Sequence, residues 1–453
     1  MKVKSLYIKN HQQFKDFSLD LTYPEGHTKA GKPLDKVCII GQSGTGKTTL
    51  LRFLQYFTSI KEQTRPNPDG KRVKGYVNYL LVNPFVLYDR EAQILIDIED
   101  NEPIMFTQFS NSKSYNELVV GKVSFENNEK LYEHLESIPT KNIFIPADII
   151  HKYSEIETTA ETSVQVLNSD VVDFANVSLV ALWNDFIKDI TIFQEEEIRK
   201  RLDISEIPNP EAIADAVKEL QRWLDETPNP IKDLAEKCLD KILNKFKLRV
   251  RQKLDFKRKE DIGFIKIETL QGQEVPNGLL STGTKQVILT ALPLYTLKPE
   301  RAIILFDEPE RSLYPDIQTE IVDFYTSLVQ DCQFFFATHS PLIAASFEPW
   351  EIVELKFNDE GNVYREKYYE TENHIDNYTT DPRYLKWDSI LTRIFGLDND
   401  APETRTEKLM ELATLKSKIK KANGSLSPQE KAKLQTKFNK IAELLDWEYD
   451  AEN

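Results

Sequence analysis

Cysteine is scarce in this 453-residue chain: Cys38, Cys238 and Cys332 stand far apart, with no CxxC pair among them. That spacing excludes a disulfide framework or a zinc ribbon and fits buried thiols in a reducing compartment. Histidine is nearly as sparse, and His11, His27, His134, His151, His339 and His374 show neither metal-ligand spacing nor an HNH-type cluster. No run of about eighteen apolar residues occurs, so a membrane-spanning helix is not expected. Met1-Lys2-Val3-Lys4 leads into an alternating strand rather than the apolar core of a signal peptide. A cytoplasmic protein without membrane contact is the expectation. Surplus positive charge is lacking too: the formal net charge is −15, which opposes a generalised nucleic-acid surface.

Glycine is infrequent, yet several glycines gather in Gly41-Gln42-Ser43-Gly44-Thr45-Gly46-Lys47-Thr48. The stretch matches the phosphate-loop pattern completely. Its glycines let backbone N–H groups surround phosphate oxygens at a helix N-terminus, Lys47 reaches the β and γ phosphates, and Thr48 offers a hydroxyl to Mg²⁺. The surroundings agree. Val37-Cys38-Ile39-Ile40 reads as a buried strand, and Thr49 to Phe57 as a helix with Leu50, Leu51, Leu54 and Phe57 on one apolar face. Gly41 to Thr49 is therefore the candidate nucleotide-binding stretch.

Two further strands end in chemistry. Ile303-Ile304-Leu305-Phe306 runs into Asp307 and Glu308, and ligands of open α/β sheets bind at such strand ends. Asp307 is placed to hold the Mg²⁺ shell, with Glu308 to orient or deprotonate an attacking water. Gln333 to Ala337 ends at Thr338-His339-Ser340, so His339 emerges at the same edge, where an imidazole can hydrogen-bond the γ phosphate or the water.

With these motifs in order, the chain resembles the ABC-type ATPases of the RecF, SMC and OLD branch. Leu280-Ser281-Thr282-Gly283-Thr284-Lys285-Gln286 resembles that family's signature motif, Asp307-Glu308-Pro309-Glu310 its Walker B, Ser312-Leu313-Tyr314-Pro315 its D-loop and Thr338-His339-Ser340-Pro341 its histidine switch. The resemblance implies ATP and Mg²⁺ as cofactors, ATP hydrolysis, and an assembly of at least a dimer, in which Ser281 and Gly283 of one subunit close over nucleotide on another. Thr282 and Thr284 depart from the usual signature residues. For the Q-loop glutamine, Gln93 and Gln108 are both candidates, each on a strand-like segment. Carboxylates resembling the Toprim nuclease of OLD proteins are missing, so a nuclease or toxin activity is expected on a partner. The whole chain is similar to the ATPase subunits of antiphage systems such as PARIS and Septu. The expected function is an oligomeric ATP-driven sensor and scaffold that controls a separate effector and answers a phage protein or DNA. The competing expectation is a RecF-type repair ATPase acting directly on DNA, and a third is a nucleotide-locked scaffold that hardly turns over.

The expected fold is α/β: an ABC-type P-loop domain with an antiparallel β subdomain, an inserted helical lobe and a helical tail. Residues 1–150 would carry the phosphate loop and the β subdomain, 151–247 a helical insertion, 248–375 the remaining motifs and 376–453 the tail. Pro208, Pro210, Pro228 and Pro230 punctuate the insertion. No heptad run survives several turns, which excludes a long coiled-coil arm. Between insertion and signature, Lys245, Lys247, Arg249, Arg251 and Lys253 alternate with apolar residues, followed by Lys257-Arg258-Lys259. Period-two alternation predicts a strand with one basic face, which could meet the trigger, nucleic acid or an acidic protein, or simply be solvated. In the tail, Thr406 to Lys421 and a helix capped by Ser427-Pro428-Gln429-Glu430 read as a hairpin around Asn423-Gly424, its apolar stripe facing its own chain or a neighbour.

Overall fold

The chain opens with the antiparallel strands β1 (Val3–Lys9) and β2 (Phe17–Asp20), then β3 (Lys36–Gly41), which runs through the glycine loop into α1 (Lys47–Phe57). A hairpin of β4 (Ile60–Pro66) and β5 (Arg72–Asn78) follows, then β6 (Gln93–Ile98), β7 (Ile104–Phe109), β8 (Lys122–Val123), β9 (Asn142–Ile145) and β10 (Val171–Asp173). The helices α2 (Leu179–Ser205) and α3 (Pro210–Glu226) lead to β11 (Leu248–Val250), β12 (Ile267–Thr269) and β13 (Glu274–Val275). After α4 (Thr282–Leu297) come β14 (Ile303–Asp307), β15 (Gln333–Ala337), β16 (Ile352–Phe357) and β17 (Val363–Arg365). This computed structural model describes residues 2–9, 13–57, 60–66, 72–78, 93–98, 104–109, 122–123, 142–149, 171–173, 179–252, 265–367, 369–370, 375–376, 381–397, 402–421 and 427–447. They divide into two units, Met1–Leu385 and Lys386–Asn453.

The main sheet of the first unit has the order β10-β9-β14-β15-β3-β16-β17, and every pairing is parallel except β16 with β17. Parallel strands are covered on both faces, which explains why Ile303 to Phe306 and Gln333 to Ala337 are buried without alternation. Parallel registration also brings the C-terminal ends of β3, β14 and β15 to one edge, and everything at the candidate site descends from that. A second, antiparallel sheet has the order β2-β1-β6-β7-β8. Val3, Leu6, Ile8 and Leu19 from this sheet, with Leu21 just after it, share one core with Val37, Ile39, Leu50, Leu51, Phe53 and Leu54. At about 25 cal/mol per Å² of buried apolar surface, such a cluster holds the loop's flanking strand and helix to the sheet.

Prolines set the helix starts between Ser205 and Leu234. Asn209 caps α3, with Pro210 in its first turn, and Asn229 and Pro230 do the same for a short helix, Pro230–Leu234. Proline is suited to those positions because its missing N–H would be unpaired there in any case. Phe193 of α2 stacks on Trp223 of α3 with ring centroids 5.2 Å apart.

The expected basic strand is corrected. Lys245 lies in a 3-10 turn, Asn244–Phe246, and Lys247 takes a left-handed φ of 58°, so the strand proper is only Leu248–Val250. Several charges of the stretch are paired: Arg249 pairs across the strands with Glu268 at 2.7 Å, Arg251 with Glu274 at 3.1 Å, and Lys245 with Glu320, while among the described residues no ion pair holds Lys247. Lys253, Leu254 and Lys257-Arg258-Lys259 lie outside the described residues. In the unit Lys386–Asn453, α5 (Glu403–Lys421) packs on α6 (Pro428–Leu444) through Leu412, Leu415, Phe438, Ile441 and Leu445. The hairpin's stripe therefore packs within its own chain. Ser427 and Glu430 form the capping box, and Asn423-Gly424 falls outside the described residues. No described helix is long and apolar enough to cross a membrane.

Candidate functional site

The loop between β3 and α1 begins where only glycine fits. Gly41 has a φ of 149°, and a Cβ there would stand 2.4 Å from the Leu355 carbonyl oxygen of the neighbouring strand. Inside the loop, buried Thr45 donates its amide and its hydroxyl to the Gln42 carbonyl, at 3.3 and 2.8 Å. Gln42, Ser43, Gly44 and Thr48 stay exposed around the N-terminus of α1, with Gly46 and Thr49 partly covered. Free helix amides and the positive end of the dipole favour an anion there. Lys47 is buried, and its ammonium donates to the carbonyls of Gly41 and Gln42 at 2.9 and 3.1 Å. Burial brings its pKa down to about 8, against the upward pull of Asp307, Glu308 and Glu310.

The end of β14 meets this loop. Thr48 Oγ1 lies 3.0 and 2.9 Å from the two carboxylate oxygens of Asp307, a residue 259 positions away in the chain. Burial raises the Asp307 carboxyl to about 6; the Thr48 hydroxyl opposes this, the Glu308 charge adds to it, and Arg52 and Lys47 pull it back. A hydroxyl and a carboxylate beside a phosphate-binding loop are the hard oxygen donors that Mg²⁺ takes, so the donor set fits a magnesium nucleotide. Glu308 adopts a left-handed φ of 48°, with its amide donating to the Ala337 carbonyl at 2.8 Å. That conformation costs a non-glycine residue about 1 kcal/mol or more, and it turns the chain out of the strand at the shared edge. The His339 ring is held below its usual pKa by partial burial and the Lys47 charge, with Glu308 opposing. Lys47, Asp307, Glu308 and His339 thus sense one another electrostatically.

Glu310 enters the sequence analysis only as the last residue of the Walker B-like motif, without a role of its own, and Gln318 does not enter it. Glu310 Oε1 accepts from the Thr338 hydroxyl at 2.7 Å and from the His339 amide at 2.9 Å, clamping the segment after β15 to the segment after β14. Burial raises its pKa, and Oε2 has no hydrogen-bond partner. Gln318 donates to the Leu313 carbonyl at 2.8 Å and accepts from the Ser340 hydroxyl at 2.6 Å. Adjacency to Asp307-Glu308 is a signal that could have found Glu310; Gln318 has none.

Ser281 caps α4, accepting from the Thr284 amide at 3.1 Å and sharing a 2.7 Å hydrogen bond with the Thr284 hydroxyl. Gly283 is the second place that requires glycine, because a Cβ would meet the Ser312 carbonyl oxygen at 2.4 Å. Gln286 donates to the Pro309 carbonyl at 3.2 Å. Residues 281–286 and 308–314 are therefore one packed block, and Leu279 and Tyr314 stand out from it, 77% and 74% exposed. Among the described residues no hydrogen bond or ion pair joins Ser281 or Gly283 to the loop Gly41–Thr49. Gln93 and Gln108 lie at the ends of β6 and β7 in the antiparallel sheet.

A mostly parallel sheet with a phosphate loop after one strand and an Asp-Glu pair after another defines a P-loop nucleotide-binding fold. The chain matches the AAA ATPase domain family over residues 1–344 and belongs to that family. Among solved structures it is similar to an Smc head bound to the C-winged helix domain of ScpA, at 12% identity and a TM-score of 0.43, over 81% of this chain and 97% of that one. An Smc head with an extended coiled coil, bound to the C-terminal domain of ScpA derived from Pyrococcus furiosus, shows 11% identity and a TM-score of 0.38, over 80% and 95%. The SMC head domain from Thermotoga maritima shows 13% and 0.37, over 81% and 98%.

Proposed function

We propose that this chain binds Mg²⁺–ATP on the loop Gly41–Thr49 and hydrolyses it to ADP and phosphate as an assembly of at least two copies. The observation that carries the reading is the contact of Thr48 with Asp307, which joins the phosphate loop to the acidic strand end beside Lys47, Glu308 and His339. Thr48 and Asp307 would hold the magnesium ion, which supplies charge neutralisation along the phosphates. Lys47 contacts the phosphates, Glu308 orients or deprotonates the attacking water, and His339 hydrogen-bonds at the γ-phosphate end. Ser281 is exposed at the start of α4 with Gly283 buried beneath it, and among the described residues neither bonds to the chain's own loop, which supports service of this block to a second copy. Lys47→Ala tests the core of this reading: ATP binding and turnover are both expected to be lost. Unchanged ATP affinity and turnover in that variant would remove the loop from the chemistry.

In the cell, the reading is a cytoplasmic sensor and scaffold of an antiphage system, whose nucleotide-linked assembly holds a separate nuclease or toxin effector until a phage protein or DNA shifts the equilibrium. The net charge of −15 and the internal ion pairs of Arg249 and Arg251 favour it over a repair ATPase acting directly on DNA. ATPase rates with and without DNA at two salt concentrations separate the two. Strong stimulation that falls steeply with salt would support repair instead.

A further inference from the structure

The sheet order gives the phosphate loop two unlike sides. β14 and β15, which deliver Asp307, Glu308 and His339, lie on one side of β3; β16 and β17 lie on the other. A triphosphate whose γ end meets the carboxylates and the imidazole and whose chain crosses the loop would place its nucleoside on the β16 side. An exposed aromatic ring stands there. Phe357, the last residue of β16, is 41% exposed, and its Cζ lies 3.8 Å from where a Cβ on Gly44 would be. Leu355, two residues earlier on the same face, and Val363, the β17 partner of Phe357, are both buried. Phe357 continues this apolar stripe beyond the core and pairs with no other aromatic ring among the described residues. On the same flank, Gln13 donates its side-chain amide to the Gly44 carbonyl at 2.6 Å and lies against Gly46. Single exposed aromatics are ordinary on protein surfaces. What sets Phe357 apart is its place beside Gly44 of the loop, on the side opposite the acids.

Resting on the reading of Gly41–Thr49 as a triphosphate cradle, we propose that Phe357 is the stacking platform for the nucleotide base, with Gln13 bracing the loop beside it. An aromatic face reads no hydrogen-bond pattern, so the site takes purine nucleoside triphosphates by ring area rather than by base edge.

Calorimetric titration of the full-length chain with Mg²⁺–ATP and with inorganic tripolyphosphate tests this. Phe357→Ala is expected to weaken ATP binding about tenfold or more while changing tripolyphosphate binding less than about twofold, and Phe357→Trp to restore ATP binding. Equal ATP affinity in wild type and Phe357→Ala overturns the proposal, as does a parallel loss of both ligands. Failure of the underlying loop reading looks different: Lys47→Ala would then leave both ligands bound as in wild type.

Discussion

Replacing Gly283 by alanine sets a helix gain against a steric cost. Alanine is the better helix former by about 1 kcal/mol in a helix interior, and by less in the first turn, where Gly283 stands two residues after the Ser281 cap. Against that gain, the new Cβ would lie 2.4 Å from the Ser312 carbonyl oxygen and 3.1 Å from Leu313 Cδ2. Comfortable contact is roughly 3.5 Å, so the start of α4 and the 312–313 segment must separate by roughly 1 Å. That segment yields little: Ser312 holds a left-handed φ of 63°, the Leu313 amide donates to Glu310, and its carbonyl accepts from Gln318. Overpacking of this kind costs about 1–3 kcal/mol, leaving an expected net loss of about 1–2 kcal/mol. Gly278→Ala is the control, since nothing stands within 4 Å of a Cβ there, and its effect should stay within about 0.5 kcal/mol. Urea unfolding followed by tryptophan fluorescence reads both variants. The displacement also moves the block bearing Ser281 and Tyr314, so ATP-dependent assembly should weaken while a single subunit still binds ATP. A Gly283→Ala chain as stable as Gly278→Ala would refute the close approach as the reason for glycine.

Three further outcomes are expected. With Lys47 at about 8 against the ordinary 10.5, the folded chain sheds this proton first as pH rises. ATP affinity should therefore fall by about tenfold per unit above pH 8, while this group's contribution to folding stability increases from pH 8 toward 10.5 because the unfolded chain binds more protons there. Titrations between about pH 7 and about pH 9.5 measure the first effect, and a flat profile contradicts it. Glu308→Gln should keep ATP affinity within about threefold, lower turnover at least about a hundredfold and leave the ATP-bound assembly intact, as gel filtration and phosphate release would report. Wild-type turnover would remove Glu308 from the chemistry. Arg249→Ala should cost about 1–2 kcal/mol, because the largely buried Glu268 loses its 2.7 Å partner, and should leave DNA affinity unchanged. Loss of DNA binding without loss of stability would support the contact role for the basic residues instead.

Much of the fold was legible because the relevant forces act over a few residues. Val37 to Ile40 and Ile303 to Phe306 are continuous apolar runs of strand length, and only strands covered on both faces take such a run without alternation. Asn209-Pro210, Asn229-Pro230 and Ser427-Pro428 mark helix starts because capping is a contact with the next two or three amides. The basic stretch misled for the converse reason. Its alternation is real, but the Lys247 carbonyl accepts from Leu270 and the Val250 amide donates to Asp240, and these contacts turn a corner that period two cannot anticipate.

Residue identities along the chain determined which groups could bind phosphate, hold magnesium or move a proton, since a glycine-rich turn, a hydroxyl, a carboxylate and an imidazole carry that chemistry wherever they lie. Tertiary structure decided which of them meet. Parallel pairing of β3, β14 and β15 brings Thr48 to Asp307 and His339 near Lys47, while Glu310, Gln318, Gln13 and Phe357 take their places through contacts between distant segments. No local pattern encodes such contacts, because the free energy that fixes them comes from burying the whole sheet rather than from any neighbouring residue.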